Sequence, residues 1–305
     1  MKSRSDHALR IRFGCIPLLL ATVVTFGATA FAQDAKLLAA EAAIQQRIAA
    51  SGADVAIYFK TLDGKSEWSV RPDDAFHAAS TMKVPVMIEL FHRVKEGKLK
   101  LEDKIVIKNE FHSIVDGSPY SLSAGDDSEA DLYKSEGQFR TLGELCDLMI
   151  TVSSNFATNL LIEKLGVESI RATVHNLRAD GVVVLRGVED GKAFEKGLNN
   201  TTTARGLAIL LEAMARGRAV DAPSSKEMVA ILKRQRFNEG IPKGLPADIE
   251  VAHKTGEITR IHHDAAIVFA RRPYILVILV RGLADIKQSA SLMKDISHEL
   301  YEATQ

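Results

Sequence analysis

The chain has 305 residues, of which 46% are apolar and 26% charged. This composition supplies enough apolar side chains for one sizeable core or two lobes, and it excludes a disordered chain. Lysine and arginine together number 39, as do aspartate and glutamate, so the formal net charge is zero. A neutral chain has no electrostatic bias toward nucleic acid or an anionic membrane, and we expect neither as a partner.

The N-terminus has the composition of a targeting segment. Basic residues precede an apolar run over residues 13–26, and the small-residue sequence Ala30-Phe31-Ala32 follows. This order is typical of a secretory signal peptide, and the apolar run is short for a transmembrane anchor. We expect residues 1–32 to be removed and residues 33–305 to form one exported domain, periplasmic or secreted. Cys146 would then be the one remaining cysteine, so we expect no internal disulfide and a core position for this thiol.

The first elements after this segment are predicted to be a helix and a hairpin. Residues 35–50 are rich in alanine and have apolar residues at intervals of three and four, which predicts a helix. Residues 54–60 and 65–70 alternate like strands on either side of Asp63-Gly64, a strong signal for a hairpin turn.

Helical patterns then dominate the middle of the chain. Helices are predicted over residues 81–95, 142–165 and 201–232, with a short strand over residues 105–107. Between them, residues 109–139 are polar, acidic and rich in glycine and serine. We interpret these residues as a long surface loop or lid.

Strands return near the C-terminus. They are predicted over residues 249–254, 265–270 and 274–280, and a helix over residues 284–303 follows. Strands at both ends and helices between them predict an α+β, two-lobed fold with an active site between the lobes. A five-stranded, largely antiparallel sheet flanked by the terminal helices would form one lobe (approximately residues 33–75 and 235–305). An inserted all-helical lobe would form the other (approximately residues 76–234).

A hydroxyl and an amine three residues apart form the first candidate catalytic pair. Ser80 and Lys83 lie at a predicted helix start, where residues three apart share one face. A lysine can take the proton of a serine only if burial or a second cation keeps the amine partly neutral. The spacing alone is weak evidence, because Ser291 and Lys294 repeat it inside the last predicted helix.

Two further motifs distinguish the first pair from the second. Ser153-Ser154-Asn155 follows an apolar helical stretch, and such a junction can direct a hydroxyl and an amide into a cleft. Lys254-Thr255-Gly256 ends a predicted strand and offers a second cation, a hydroxyl, and a glycine that permits close approach to the backbone. The three motifs in this order are a specific signal.

With these motifs the chain resembles class A β-lactamases and the related penicillin-interacting serine hydrolases, over essentially the whole of residues 33–305. The resemblance implies an acylated nucleophile, its base, a proton relay to the leaving nitrogen, an anchor for the substrate amide, ligands for the substrate carboxylate, and an oxyanion hole. It assigns the nucleophile to Ser80, its base to Lys83 and the proton relay to Ser153. It assigns the amide anchor to Asn155 and the ligands of the substrate carboxylate to Lys254 and Thr255. The backbone NH groups of Ser80 and Glu257 would form the oxyanion hole.

Two positions depart from the family pattern. Ser154 stands where the second motif usually has aspartate, at a position that is chiefly structural. Glu257 follows Lys-Thr-Gly, where small residues are common. A carboxylate beside the oxyanion hole would disfavour some anionic substrates, and Arg260 is a candidate partner for it.

The resemblance also implies a glutamate that orients the water for deacylation, and two residues compete for this role. Glu189 matches by its position in the irregular segment 186–200, counted back from the helix that follows. Glu195 matches by local pattern, since Glu-x-x-Leu-Asn ends at Asn199. If neither residue has this role, the enzyme would stay acylated, as a penicillin-binding protein does.

Other residues carry weaker signals. His262-His263-Asp264 resembles a metal cluster, but adjacent strand residues point to opposite faces, so we expect no metal and no cofactor. Tyr120 is either a wall of the cleft or a loop residue that covers the helical lobe. We expect a monomer that acts on a small molecule.

Three functions remain open at this point. The first is a β-lactamase, in which water releases the ring-opened product. The second is a D-alanyl carboxypeptidase or esterase-like hydrolase that acts on a D-alanine-like peptide and turns β-lactams over slowly. The third is a binding protein that becomes acylated without turnover.

Overall fold

The structure is a computed structural model that describes residues 20–305, with side chains from residue 35 onward. The predicted signal peptide, residues 1–32, falls outside the residues whose side chains are described. Within the described part, no helix has both the length and the apolar character needed to cross a membrane.

The described residues form strands and α-helices in the following order along the chain. The strands are β1 (Asp54–Thr61), β2 (Glu67–Val70), β3 (Phe76–His77), β4 (Lys104–Val106), β5 (Phe111–His112), β6 (Pro119–Tyr120), β7 (Phe139–Thr141), β8 (Thr201–Thr202), β9 (Glu250–Ile258), β10 (Ile261–Phe269) and β11 (Tyr274–Arg281). The helices are α1 (Leu20–Ser51), α2 (Lys83–Lys95), α3 (Ala130–Tyr133), α4 (Leu142–Thr151), α5 (Asn155–Leu165), α6 (Val167–Asn176), α7 (Gly191–Glu195), α8 (Ala204–Ala215), α9 (Ala222–Leu232) and α10 (Ile286–Thr304).

The main sheet has five strands in the spatial order β2-β1-β11-β10-β9, and every neighbouring pair is antiparallel. The predicted five-stranded antiparallel sheet is therefore confirmed. The hairpin between β1 and β2 turns at Gly64, where φ is +71°, a conformation that glycine adopts without steric cost. Strands β10 and β11 are joined by a short connection over residues 270–273.

The sheet is buried on both faces, which explains why its middle strand, β11, is a nearly continuous apolar run. In β11, Ile275, Val277 and Leu279 pack into one cluster with the middle helices of the chain. The alternate residues, such as Leu276 and Ile278, pack into a second cluster with the side chains of α1 and α10. The sheet thus separates the terminal helices from the helical part of the chain.

The predicted helix over residues 142–165 is two helices, α4 and α5, and the break between them shapes the site. Ser153 has φ +61°, and Ser154 caps α5 by accepting a hydrogen bond from the Ala157 NH. Serine and asparagine favour such helix starts because their short polar side chains satisfy exposed NH groups. The break places Ser153 in a turn and makes Asn155 the first residue of α5. Cys146 is fully buried in α4, as predicted.

Residues 109–139 contain short ordered elements where the sequence predicted a loop or lid. Strands β5 and β6 pair as a small hairpin, and α3 packs close to α5. The side chains of this segment also contact the two loops that form the candidate site, as described below. The prediction missed this order in part because several of its hydrogen bonds reach residues far away in the sequence, such as those from Ser113 to Asp190 and from Phe156 to Asp127.

Candidate active site

Ser80 lies in a strained turn that is held from two sides. It belongs to a 3₁₀ helix, Ala79–Met82, that leads directly into α2, and the preceding Ala79 has φ +46°. A positive φ at a residue with a Cβ costs roughly 1 kcal/mol and persists only where surrounding contacts enforce it. Here the Ala79 NH donates to Nδ1 of His77 at 3.0 Å. Ser80 is half-buried, and its hydroxyl makes no hydrogen bond to another described residue.

The backbone next to this turn is fixed by a buried histidine from the sheet. His263 Nε2 donates to the carbonyl of His77 at 2.9 Å, and its Nδ1 accepts from the Val280 NH at 3.2 Å. These two bonds require the neutral ring with its proton on Nε2. Burial lowers the pKa of His263 to about 4, which agrees with a neutral ring.

Lys83 is completely buried, and its amine points at the second motif. Nζ donates to the carbonyl of Ser153 at 2.6 Å, to Ser153 Oγ at 3.2 Å and to Asn155 Oδ1 at 2.8 Å. Burial lowers the pKa of Lys83 to about 7, although the nearby carboxylates of Asp127 and Glu189 oppose that shift. An amine with this pKa exists in both protonation states near neutral pH, so it can accept a proton from a neighbouring hydroxyl.

Lys254 approaches the same hydroxyl from the sheet. It is also completely buried, and its Nζ donates to Ser153 Oγ at 2.9 Å and to the Thr255 carbonyl at 2.8 Å. Burial, and then the positive charge of Lys83, hold the pKa of Lys254 well below its usual range. Ser153 Oγ therefore lies between two amines, which is the geometry of a proton relay.

Strand β9 brings the third motif against the turn that contains Ser80. A Cβ placed on Gly256 would lie 3.1 Å from the backbone nitrogens of both Ser80 and Thr81, a contact tighter than nearly all real Cβ contacts. A side chain at this position would force the turn or the strand to shift by a few tenths of an ångström, so glycine permits this close approach. The adjacent Glu257 and Thr255 line an open cleft with a volume of about 1180 Å³, which Ser80, Ser153 and Asn155 also line.

Asn155 connects the buried amine to one of the two candidate glutamates. Its Oδ1 accepts from Lys83, and its Nδ2 donates to Glu189 Oε1 at 2.5 Å. Partial burial raises the pKa of Glu189, and the hydrogen bond from Asn155 opposes this. Glu195 ends α7 with an exposed side chain and makes no hydrogen bond or ion pair to another described residue. The geometry therefore favours Glu189 for a role at this site.

The loop that carries Glu189 is fixed by residues that the sequence analysis did not identify. Asn159 Oδ1 accepts from the Val188 NH at 2.7 Å, and its Nδ2 donates to the Val188 carbonyl at 3.0 Å. Tyr120 donates to the same carbonyl at 3.2 Å, so it holds this loop and is not among the residues lining the cleft. Asp190 accepts from Ser113 Oγ and the Ile114 NH. These bonds enforce the positive φ of +61° at Glu189.

The remaining sequence signals are also located. Arg260 donates to the carbonyl of Gly282 and forms no ion pair with the exposed Glu257 among the described residues, so the suggested pairing is not observed. In the His262-His263-Asp264 motif, Asp264 pairs with His253 at 2.9 Å, whereas His263 binds the backbone carbonyl of His77. No group of three or more His, Cys, Asp or Glu side chains within the described part could hold a metal ion.

The sequence model of the β-lactamase enzyme family matches residues 39–304. This chain belongs to the β-lactamase enzyme family. The match spans all three motifs and both sets of terminal strands.

Solved structures share the fold of this family member. A β-lactamase from Sphaerobacter thermophilus is 25% identical, with a TM-score of 0.74 over 86% of this chain and 96% of that chain. A variant of PBP-A, solved as an acyl-enzyme complex with penicillin G, is 26% identical, with a TM-score of 0.74 over 88% of this chain and 96% of that chain. An ancestral class A β-lactamase has the same fold at 24% identity, with a TM-score of 0.75 over 87% of this chain and 99% of that chain.

The close approach of β9 to the turn that contains Ser80 gives a first prediction. Gly256→Ala is expected to push β9 away from Ser80 and to slow labelling by a fluorescent penicillin by about 10- to 100-fold, because displacements of 1 Å can have such effects on reactivity. Gly125→Ala is the matched control, because the nearest heavy atom to a Cβ there is a serine side-chain oxygen at 3.5 Å. Equal labelling rates for both variants, with unchanged thermal unfolding, would contradict the prediction.

Proposed function

We propose that this protein is a serine β-lactamase that opens the β-lactam ring through an acyl-enzyme on Ser80. The observation that carries the proposal is the pair of buried amines of Lys83 and Lys254, which share the hydroxyl of Ser153 in the cleft that the half-buried Ser80 also lines. A serine is a weak nucleophile until a base takes its proton, and a lysine with a pKa of about 7 can do so at neutral pH.

In the proposed acylation step, each of these groups has one role. Ser80 Oγ attacks the carbonyl carbon of the lactam while its proton passes to the neutral amine of Lys83. The backbone NH groups of Ser80 and Glu257 stabilise the negative oxygen of the tetrahedral intermediate, usually the largest contribution to such catalysis. When the C–N bond breaks, the ring nitrogen takes a proton through Ser153. Lys254 and Thr255 bind the substrate carboxylate, and Asn155 binds the side-chain amide.

Deacylation is assigned to Glu189. Its carboxylate accepts a proton from a water molecule, the water oxygen attacks the acyl carbon, and the bond from that carbon to Ser80 Oγ breaks as the serine regains its proton. The support for this assignment is the hydrogen bond from Asn155, which holds the Glu189 carboxylate beside the groups that would bind substrate. Glu195 has no comparable contact.

A second candidate function differs only in the last step. The similarity to PBP-A, which was captured as an acyl-enzyme with penicillin G, favours a penicillin-binding hydrolase that acts on D-alanine-like peptides and releases β-lactams slowly. A time course of intact mass and nitrocefin hydrolysis separates the two. Steady turnover supports a β-lactamase, whereas a long-lived adduct with release of D-alanine from a peptide supports the alternative.

The nucleophile assignment makes a direct prediction. Ser80→Ala is expected to abolish covalent labelling by a penicillin and to reduce hydrolysis by at least about 10³-fold, as loss of a nucleophile does in other serine hydrolases. Ser291→Ala, which changes the other Ser-x-x-Lys sequence on the exposed face of α10, is expected to label like the wild type. Labelling of Ser80→Ala, measured by intact mass, would refute the mechanism.

The two glutamates give the next prediction. Glu189→Gln keeps the size of the side chain but cannot accept the water proton, so its acyl-enzyme should accumulate, with deacylation slowed by about 10²- to 10⁴-fold. Glu195→Gln should deacylate at the wild-type rate, because Glu195 is exposed and distant from the hydrogen bonds of the site. Quenched-flow mass spectrometry measures both rates. Similar rates for Glu189→Gln and the wild type would overturn the assignment.

We also propose that the protein acts after export, on the basis of the basic and apolar N-terminal segment. N-terminal sequencing of protein collected outside the cytoplasm should begin at Gln33. A mature N-terminus at Met1 would contradict this prediction.

A further inference from the structure

Asp127 contacts the second motif from a distant part of the chain. It lies in the segment of residues 109–139, and its carboxylate oxygen Oδ2 accepts from the Phe156 NH at 2.8 Å and from the Ser154 hydroxyl at 3.3 Å. The same oxygen accepts from the Tyr133 hydroxyl at 3.0 Å, and Oδ1 accepts from the Glu129 NH at 3.0 Å. The carboxylate is therefore fixed from both its own segment and the helix that begins with Asn155.

These bonds complete the start of α5. The first NH groups of a helix have no partner within the helix and must be satisfied from outside. Ser154 satisfies the Ala157 NH at 3.1 Å, and Asp127 satisfies the Phe156 NH. A negative charge at this end also interacts favourably with the helix dipole. Asn155 lies between Ser154 and Phe156 in the sequence, and its side-chain amide joins Lys83 to Glu189.

The charge of Asp127 also acts on the two reactive groups. Burial lowers the pKa of Lys83, whereas the negative charges of Asp127 and Glu189 raise it. The cation that faces Lys83 is Lys254. Asp127 raises the pKa of Glu189 together with Asp126, whereas Lys83 lowers it. Asp127 thus has both a geometric and an electrostatic connection to the site.

We infer that Asp127 is a positioning residue that fixes Asn155 and Ser154 from the 109–139 segment, which makes that segment a structural wall of the site. The inference rests on the proposed function, since Asn155 is the group said to hold the substrate amide. Ser154 stands where related enzymes usually carry an aspartate, and Asp127 supplies a carboxylate to this turn from another part of the chain.

The test uses the full chain and three variants. Asp127→Ala removes the bonds and the charge, whereas Asp127→Asn keeps an oxygen acceptor and removes the charge. Asp131→Asn is the matched control, because this exposed aspartate lies in the same segment and pairs with Lys134 alone among the described charged residues. The measurements are kcat and KM for nitrocefin between pH 5 and 9, acylation rates, and hydrogen exchange of peptides that contain residues 153–157.

The inference predicts a graded effect. In Asp127→Ala, kcat/KM should fall by about 10- to 100-fold, mainly through KM, because a displaced Asn155 no longer orients the substrate. In Asp127→Asn the fall should be smaller. In both variants the acid limb of the acylation profile should move to lower pH by about half a unit, because loss of a nearby negative charge lowers the pKa of Lys83 and its neutral form persists at lower pH.

Two results would overturn the inference. One is a value of kcat/KM in Asp127→Ala that lies within about twofold of the value in the Asp131→Asn control, because the inference predicts a loss of at least about tenfold. The other is a loss of activity with an unmoved acid limb and unchanged exchange in residues 153–157. If the wild type is not acylated by any penicillin, the proposed function fails. The exchange measurement then still reports whether Asp127 orders this turn.

Discussion

The burial of two lysine amines against one serine hydroxyl is the constraint on which the site depends. Lys83 and Lys254 come from different lobes. Lys83 donates to the carbonyl and the hydroxyl of Ser153, and Lys254 donates to the same hydroxyl and to the Thr255 carbonyl. Bringing two amines into an apolar interior disfavours their charged forms. Burial lowers the pKa of Lys83, as its proposed role as a base requires, and this burial depends on close packing between the sheet and the helices.

This arrangement has a cost in stability. An ordinary lysine has a pKa of 10.5, whereas Lys83 has one of about 7, so the unfolded chain binds a proton more strongly. The free energy of unfolding therefore decreases as the pH falls from 10.5 toward 7. Below pH 7 the whole loss from this one group, on the order of 5 kcal/mol, is present. Burial of the surrounding apolar clusters offsets the cost. The positive φ angles at Ala79, Ser153 and Glu189 add a smaller, conformational cost to the folded state.

The sequence predicted the sheet because β11 is a nearly unbroken apolar run and because the residues of β1 and β2 alternate on either side of a hairpin signal. It also identified the motifs of the site, since each is local. It did not predict the break between α4 and α5, because the apolar pattern continues through Val152 and the turn is enforced by Ser153 and Ser154. The roles of Asn159 and Asp127 were missed for another reason. Their partners are 27 to 29 residues away, and no local pattern reveals such a contact.

The choice between Glu189 and Glu195 shows the same limit. Local pattern favoured one residue and loop position the other, and the two lie only one short helix apart. The decision depends on Asn155, which is 34 residues before Glu189. Side chains that act together at this site are therefore recognised only after the chain has folded.

The segment of residues 109–139 touches the site at two separate points. Asp127 contacts the start of α5, while Ser113 and Tyr120 support the loop of Glu189. Under the proposed function, the lifetime of the acyl group therefore depends on buried and half-buried residues that do not touch it. Selection for faster release could act on these supporting residues and leave the reacting atoms unchanged.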